Sequence, residues 1–169
     1  GAAAYARLAD PEQRSELRIR RRMAREERER ETRSAQIRIE TDLLDASVQF
    51  RKGMALRQAG KMKAAIQELE FAADCDPQNG TYRAEAARAR WEHDPTGMGR
   101  QALHDLEEAQ RVDPSSVEAF LYHGEIAAAL GELESAEASL RRAAKLLGPS
   151  DRRALDALAA LAKQRKKRR

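Results

Sequence analysis

The sequence predicts an all-α protein, and three observations support that prediction. Charged residues make up 36% of the 169 residues and aromatic residues only 4%. Alanine, leucine, arginine and glutamate dominate, and these side chains lose little conformational freedom in a helix. An Ala-x3-Leu pattern, which is a helical spacing, recurs at Ala65, Ala102 and Ala136, and a proline follows each of these three segments. We therefore expect helices separated by proline-marked turns.

Composition also narrows the class of protein. No stretch of about 18 apolar residues is present, and no basic segment followed by an apolar run opens the chain, so neither a membrane span nor a signal peptide is predicted. The single cysteine, Cys75, rules out an intramolecular disulfide and a cysteine-based zinc cluster. The sequence therefore predicts a cytoplasmic protein.

The first element, residues 1–17, carries a short motif. It reads Ala4-Tyr5-x2-Leu8-x-Asp10-Pro11-Glu12-x-Arg14. This motif resembles the end of a J-domain (DnaJ-like), where a helix with Tyr and Leu core residues leads into the Asp-Pro-Glu-x-Arg start of the last helix. The resemblance implies a DnaK-type chaperone as partner of an upstream J-domain. The His-Pro-Asp signature of that family is not in this chain, so we expect no ATPase stimulation and a longer parent protein.

Residues 18–45 are predicted to form a charged helical arm. A helix is expected to begin at Asp10-Pro11, with proline at its first position. No large apolar residue occurs between residues 24 and 33, so that segment cannot form a core. Pairs such as Arg25 with Glu29 each add about 0.2–0.5 kcal/mol to an exposed helix. Apolar residues at Ile37 and Leu44 then predict renewed packing, with the helix continuing into the next element.

Three repeats follow, in which two independent sets of positions share one register. Ala65-x3-Leu69, Ala102-x3-Leu106 and Ala136-x3-Leu140 are offset by 37 and 34 residues. Gly53 and Gly124 are separated by 71 residues, which equals the two offsets combined. Prolines 77, 114 and 149 follow the three alanine-leucine segments and cannot continue a helix. The agreement predicts three copies of one structural unit.

These repeats resemble the tetratricopeptide family, whose unit of about 34 residues carries W-x2-L-G-x2-Y, then A-x3-F, then P. Residues 46–79 and 117–150 match well, whereas residues 80–116 have Ala87 in place of glycine and three extra residues in the turn. The resemblance implies stacked helical hairpins whose small residues allow close helix approach. The structural repeat positions are Gly53, Ala65, Pro77, Ala102, Pro114, Gly124 and Ala136.

Residues 151–169 are predicted to form a capping helix with a basic tail. Ser150 is the expected N-cap, and an apolar stripe from Ala154 to Ala162 would cover the last hairpin. Six of the last seven residues are basic. Such a tail either binds an anionic partner or is a solvated helix end.

The sequence contains no recognisable catalytic chemistry. His93, His104 and His123 lack metal-ligand spacing to one another and to Cys75. Neither a phosphate-binding glycine loop nor a nucleophile motif occurs. We therefore predict no enzyme activity, no cofactor and no metal site.

The candidate binding site is the groove formed by the first helix of each hairpin. Phe50 and Met54 stand where the family's acidic-peptide clamp has lysine and asparagine, so that clamp is disfavoured. An alternative to a binding role is that Phe50 and Trp91 pack on neighbouring helices or on the arm. Helical spacing predicts an apolar patch with two arginines, made by Ser47, Phe50, Met54, Arg57, Ala84, Arg88, Trp91, Leu121, Glu125 and Ala128.

Two functions remain open at this point. The first is a scaffold that binds a protein or peptide partner, as the partner- or client-binding part of a J-domain and tetratricopeptide co-chaperone. The second is nucleic-acid or acidic-surface binding through the arginine-rich arm and the basic tail, although the nearly balanced charge of the rest of the chain argues against nucleic acid. Salt dependence separates the two, because phosphate contacts weaken steeply with salt.

Overall fold

The computed structural model describes residues 10–167, in which there are seven helices and no strand. The all-α prediction is confirmed. Residues 1–9, with Ala4, Tyr5 and Leu8 of the J-domain-like motif, lie outside the described residues. Among the helices of the described part, none is long and apolar enough to cross a membrane. The helices are α1 (Pro11–Gln58), α2 (Met62–Cys75), α3 (Gly80–His93), α4 (Gly99–Val112), α5 (Val117–Ala129), α6 (Leu133–Leu147) and α7 (Arg153–Lys167).

The chain divides into two compact units, and the first ends at Asp42. The helix of this unit begins as predicted, with Pro11 at its first position and the Asp10 carboxylate accepting the Glu12 N–H at 3.0 Å. Every residue from 11 to 42 is exposed. Arg25 pairs with Glu29 at 2.8 Å, as the spacing predicts. This segment is a solvated helix held by local pairs.

The renewed packing predicted for residues 37–44 is wrong. Ile37 is 57% exposed and Leu44 is 68% exposed. No glycine or proline occurs between Pro11 and Gly53, so nothing in the sequence interrupts the helix there. The first buried residue of α1 is Ala46.

The second unit, from Leu43 onward, holds the helical hairpins. Gly60 and Gly131 have φ values of 77° and 83° and close the first and third hairpins. Lys61 N–H and Glu132 N–H donate to carbonyl groups five residues earlier, each at 2.9 Å. The two turns therefore have the same C-terminal capping geometry.

The turn of the middle hairpin has a different structure from the other two. Its extra residues lie between α3 and α4, where the Asp94 carboxylate accepts the Gly97 N–H at 2.9 Å. The Met98 N–H donates to the Asp94 carbonyl at 3.0 Å. A side-chain capped turn replaces the glycine turn of the other two hairpins.

Small residues lie where the helices of a hairpin approach most closely. A Cβ atom on Gly53 would lie 2.8 Å from Leu69 Cγ, and one on Gly124 would lie 2.5 Å from Leu140 Cγ. Ala65 and Ala136 are completely buried on the partner helices, and Ala102 is 2% exposed in the middle hairpin. The repeat positions thus have the packing role that their register predicts.

Helix α7 covers the last hairpin through Ala154 and Leu161, which are both buried. The prediction of Ser150 as its N-cap is wrong. The helix begins later, and the Asp151 carboxylate accepts the Arg153 N–H at 3.0 Å. A carboxylate there also interacts favourably with the helix N-terminus.

We expect Gly53→Leu to lower the free energy of unfolding by about 1–3 kcal/mol or more, because the site has no room even for a Cβ atom. The control is Ala55→Leu, which adds a similar side chain at an exposed position of the same helix. Urea denaturation monitored by circular dichroism measures both. Equal midpoints for Gly53→Leu and the parent chain would contradict the close-packing assignment.

Candidate functional site

The predicted groove residues lie on α1, α3 and α5, the first helices of the three hairpins. Two of them require correction: Ala84 is completely buried and Leu121 is 2% exposed, because both belong to the main hydrophobic core. They form the floor beneath the groove. The remaining predicted residues are half-buried and keep part of their surface open: Ser47, Phe50, Met54, Arg57, Arg88, Trp91, Glu125 and Ala128.

The aromatic residues of the groove also pack on neighbouring helices. Phe50 stacks on Tyr82 of α3, with ring centroids 4.4 Å apart and an interplanar angle of 28°. Phe50 and Met54 also pack against a small buried cluster of Leu69, Ala86 and Ala89. Trp91 packs against the main core. These side chains therefore have a structural role, and the surface that they leave open is an apolar and aromatic patch at the first-repeat end.

The two groove arginines are engaged with carboxylates. Arg57 donates to Glu85 at 2.8 Å and to both oxygens of Glu92 at 3.0 and 2.5 Å. These bonds join α1 to α3. Charge-assisted bonds of this kind are among the stronger hydrogen bonds in proteins, and the paired contact with Glu92 fixes the guanidinium plane.

Arg88 extends the same set of contacts to α5. Its Nε donates to Glu92 at 2.9 Å, and its Nη1 lies 3.1 Å from Glu125. The guanidinium carbon lies 4.2 Å from the centroid of the Tyr122 ring. The Tyr122 hydroxyl in turn donates to Glu85 at 2.6 Å. We call this connected set the inner ionic network: Arg57, Glu85, Arg88, Glu92, Tyr122 and Glu125.

Burial and hydrogen bonding shift the pKa values within the network. Burial raises the pKa of Tyr122, and its bond to Glu85 raises it further. Burial also disfavours the charged form of Glu92, but hydrogen bonds from Arg88 and Arg57 outweigh it and lower the pKa of that carboxyl. Tyr122 therefore stays protonated as a donor while Glu92 stays charged.

Glu125 behaves differently from Glu92. Burial raises its pKa, and although Arg88 opposes this effect, the negative charge of Glu92 adds to it. The sequence predicted an apolar patch with two arginines. In the structure both arginines are bound to carboxylates, and the network has more carboxylates than guanidinium groups.

Sequence reasoning missed Glu85, Glu92, Tyr82 and Tyr122. A usable signal was present, since Arg88 and Glu125 are 37 residues apart and so are Glu85 and Tyr122. Ala87 and Gly124, the equivalent positions of the second and third repeats, are also 37 residues apart, so these residues occupy equivalent places on neighbouring first helices. A search for complementary polar residues one repeat apart would have found the network.

A second polar cluster lies among α4, α5 and α6; its serine and histidine are buried, whereas its glutamate side chain is 62% exposed. Ser139 Oγ lies 2.8 Å from His123 Nδ1, and His123 Nε2 lies 3.4 Å from a Glu107 oxygen. The order of groups is that of a serine hydrolase triad. However, His123 is 3% exposed and Ser139 is 8% exposed, so a substrate has no access to the hydroxyl. Residues 10–167 contain no group of His, Cys, Asp and Glu side chains arranged to hold a metal ion.

Comparisons with known proteins agree with the hairpin geometry. Family models of the tetratricopeptide repeat match residues 46–79 and 97–151. The unmatched residues between them include all of α3, in which Ala87 replaces the repeat glycine. No curated protein sequence matches the chain.

Solved structures share the fold. The TPR domain of OM64 from Arabidopsis is 26% identical, with a TM-score of 0.64 over 73% of this chain and 98% of that one. The first TPR of Spaghetti (RPAP3), bound to the HSP90 peptide SRMEEVD, is 24% identical, with a TM-score of 0.65 over 72% and 96%. The Yersinia enterocolitica secretion chaperone SycD, in complex with a peptide of the translocator YopD, is 18% identical, with a TM-score of 0.59 over 70% and 93%.

We expect Arg57→Met to lower the free energy of unfolding by about 2 kcal/mol or more, because it leaves the buried Glu85 carboxylate with Tyr122 as its remaining partner. Adding Glu85→Gln to that variant should restore part of the loss, since the unpaired charge is then removed. A double-mutant cycle in urea measures the coupling.

The control for this cycle is Arg141→Met, which removes an exposed arginine paired with Glu137 on one helix. Its effect should stay below about 0.5 kcal/mol. Additive effects of the Arg57 and Glu85 changes would contradict the network.

Proposed function

We propose, because the chain belongs to the tetratricopeptide repeat family, that it is a protein-interaction scaffold whose groove binds a peptide segment of a partner protein. The supporting observation is a surface that runs across α1, α3 and α5 and is held by the inner ionic network. Links between neighbouring hairpins fix the groove before a partner arrives, which reduces the entropy lost on binding.

Structures with the same fold support a peptide as the ligand. The first TPR of Spaghetti holds an HSP90 peptide, and SycD holds a peptide of YopD. A groove between helices receives either an extended or a helical segment, with side chains of the partner occupying its open positions.

The chemistry of this groove argues against the acidic HSP90 peptide. Phe50 and Met54 replace the lysine and asparagine of the acidic-peptide clamp. Arg57 and Arg88 already bind glutamates of the chain itself. An incoming carboxylate would have to compete with Glu85, Glu92 and Glu125 for the same guanidinium groups. We therefore propose a partner segment without this acidic end.

A role as part of a co-chaperone is a finer proposal. It rests on the J-domain-like motif of residues 2–17, whose first part lies outside the described residues. In this proposal the groove binds a client or partner while an upstream J-domain engages a DnaK-type chaperone. The groove chemistry does not depend on it.

Nucleic-acid binding is a second candidate, favoured by the charge of the first unit. Between residues 18 and 33 there are eight arginines and four glutamates, all exposed. Lys166 and Lys167 are also exposed at the other end of the chain. Binding of this kind would fall steeply with salt and would not depend on the groove.

We expect Met54→Glu to weaken partner binding by roughly tenfold or more, equivalent to about 1.4 kcal/mol, because it places a charge in the half-buried apolar patch. Phe71→Glu is the control, since Phe71 is 49% exposed on a second helix and is not a groove residue. Quantitative affinity capture identifies the partner, and calorimetry with the purified partner gives the Kd. Equal weakening by both changes would refute groove binding.

Deletion of residues 163–169 distinguishes the second candidate. We expect it to leave partner capture unchanged, because residues 163–167 lie on the last helix whereas the Phe50 and Met54 patch lies on α1, although the deletion also removes the 2.9 Å hydrogen bond from Gln164 to the Ala128 carbonyl. Loss of binding on this deletion, together with sensitivity to nuclease, would instead favour nucleic acid.

A further inference from the structure

The groove has an unequal distribution of charge along its length. Arg57 is committed to Glu85 and Glu92. Within the inner ionic network, Glu125 therefore pairs with Arg88 alone. Arg88 also bonds to Glu92 and faces the Tyr122 ring. Three glutamates of the inner ionic network stand against two guanidinium groups, so one negative charge is not balanced within it.

Neighbouring charges do not remove this imbalance. Glu118 on α5 adds another carboxylate, which accepts a hydrogen bond from the Thr81 hydroxyl at 3.2 Å. Arg153 of α7 acts on Glu125 from farther away and is itself bound to Asp151, with Nη2 and Oδ2 3.0 Å apart. The third-repeat end of the groove consequently remains acidic.

Glu125 is also the most accessible carboxylate of the network. Its side chain is 35% exposed, compared with 27% for Glu92 and 6% for Glu85. Because it is partly desolvated, its charged form is disfavoured and an approaching cation would stabilise it. An approaching carboxylate would instead be repelled.

The opposite end of the groove is apolar. Phe50, Met54 and Tyr82 are half-buried and leave part of their aromatic and thioether surface open. A segment that spans the groove thus meets an apolar contact on the first repeat and carboxylates on the third.

We propose that the bound partner segment carries a lysine or arginine, which Glu125 recognises at the third-repeat end while an apolar side chain of the same segment contacts the Phe50 end. This inference rests on the proposed function and names its ligand class. Charge complementarity sets the orientation of the segment, and the apolar contact supplies most of its burial. The chain's own basic tail fits less well, since residues 163–169 contain no apolar side chain.

The test uses the whole chain and peptides selected against it from a random 12-residue phage library. We expect the selected peptides to share an apolar residue and a basic residue at fixed spacing. Fluorescence anisotropy then compares each peptide with its own Arg→Gln or Lys→Gln version. On the parent chain, the peptide without its basic residue should bind about tenfold more weakly than the original peptide, equivalent to 1.4 kcal/mol.

Variants of the chain assign that loss to one carboxylate. In Glu125→Gln the two versions of the peptide should bind within about twofold of each other, whereas Glu134→Gln, which alters an exposed glutamate on α6, should keep the full difference. Glu125→Lys should reverse the preference toward a peptide with glutamate at the same place. If Glu125→Gln proves unstable, the comparison of peptides on the parent chain still decides the charge preference.

The outcomes separate this inference from the proposed function. If the selected peptides bind Met54→Glu weakly but bind equally well without their own basic residue, the charge inference is overturned. Binding of the peptide in the groove would still stand. Peptides insensitive to both Met54→Glu and Glu125→Gln would overturn both. If deleting residues 163–169 dissociates a dimer and raises peptide affinity severalfold, the occupant is the tail of a second copy, and the assignment to a partner is overturned.

Discussion

Close approach of the two helices within each hairpin is the constraint on which the rest of the second unit depends. At Gly53 and Gly124 a leucine of the second helix occupies the space that a Cβ atom would fill. Such contact leaves no freedom to slide one helix along the other, since the interior is packed like a crystal. Each first helix is therefore presented to its neighbour at a defined height and rotation.

That fixed presentation explains why polar groups on separate first helices meet. Arg57 lies opposite Glu92, and Arg88 lies opposite Glu125, because each pair occupies nearly equivalent places in successive repeats. A partly buried ionic network is costly unless its geometry is good, and here repetition of one backbone unit supplies the geometry. The groove combines a packed floor of alanine and leucine with a charged, cross-linked surface above it.

The sequence predicted the fold well because its strongest signals are local and steric. Glycine, alanine and proline restrict the backbone wherever they occur, so their register at 53, 65 and 77 indicates hairpins without knowledge of any contact. The site was predicted less well for a related reason. A glutamate on a helix has the same pattern whether it is solvated or paired across a groove, so the pairing of Glu85 with Arg57 depends on a residue 28 positions away. The exposure of Ile37 likewise depends on what packs against it, which spacing alone does not specify.

The turn of the middle hairpin places its extra residues where they do not alter the phase of any helix. Asp94 caps that turn between α3 and α4, and the contacts from Glu85 to Tyr122 form across it all the same. Inserting one residue within α3, between Glu85 and Glu92, would have a different effect. The rest of that helix would rotate by about 100°, so Glu92 would move away from Arg57 while Glu85 kept its place. Length variation is therefore tolerated at this turn, but within the first helices it would change which residues face the groove.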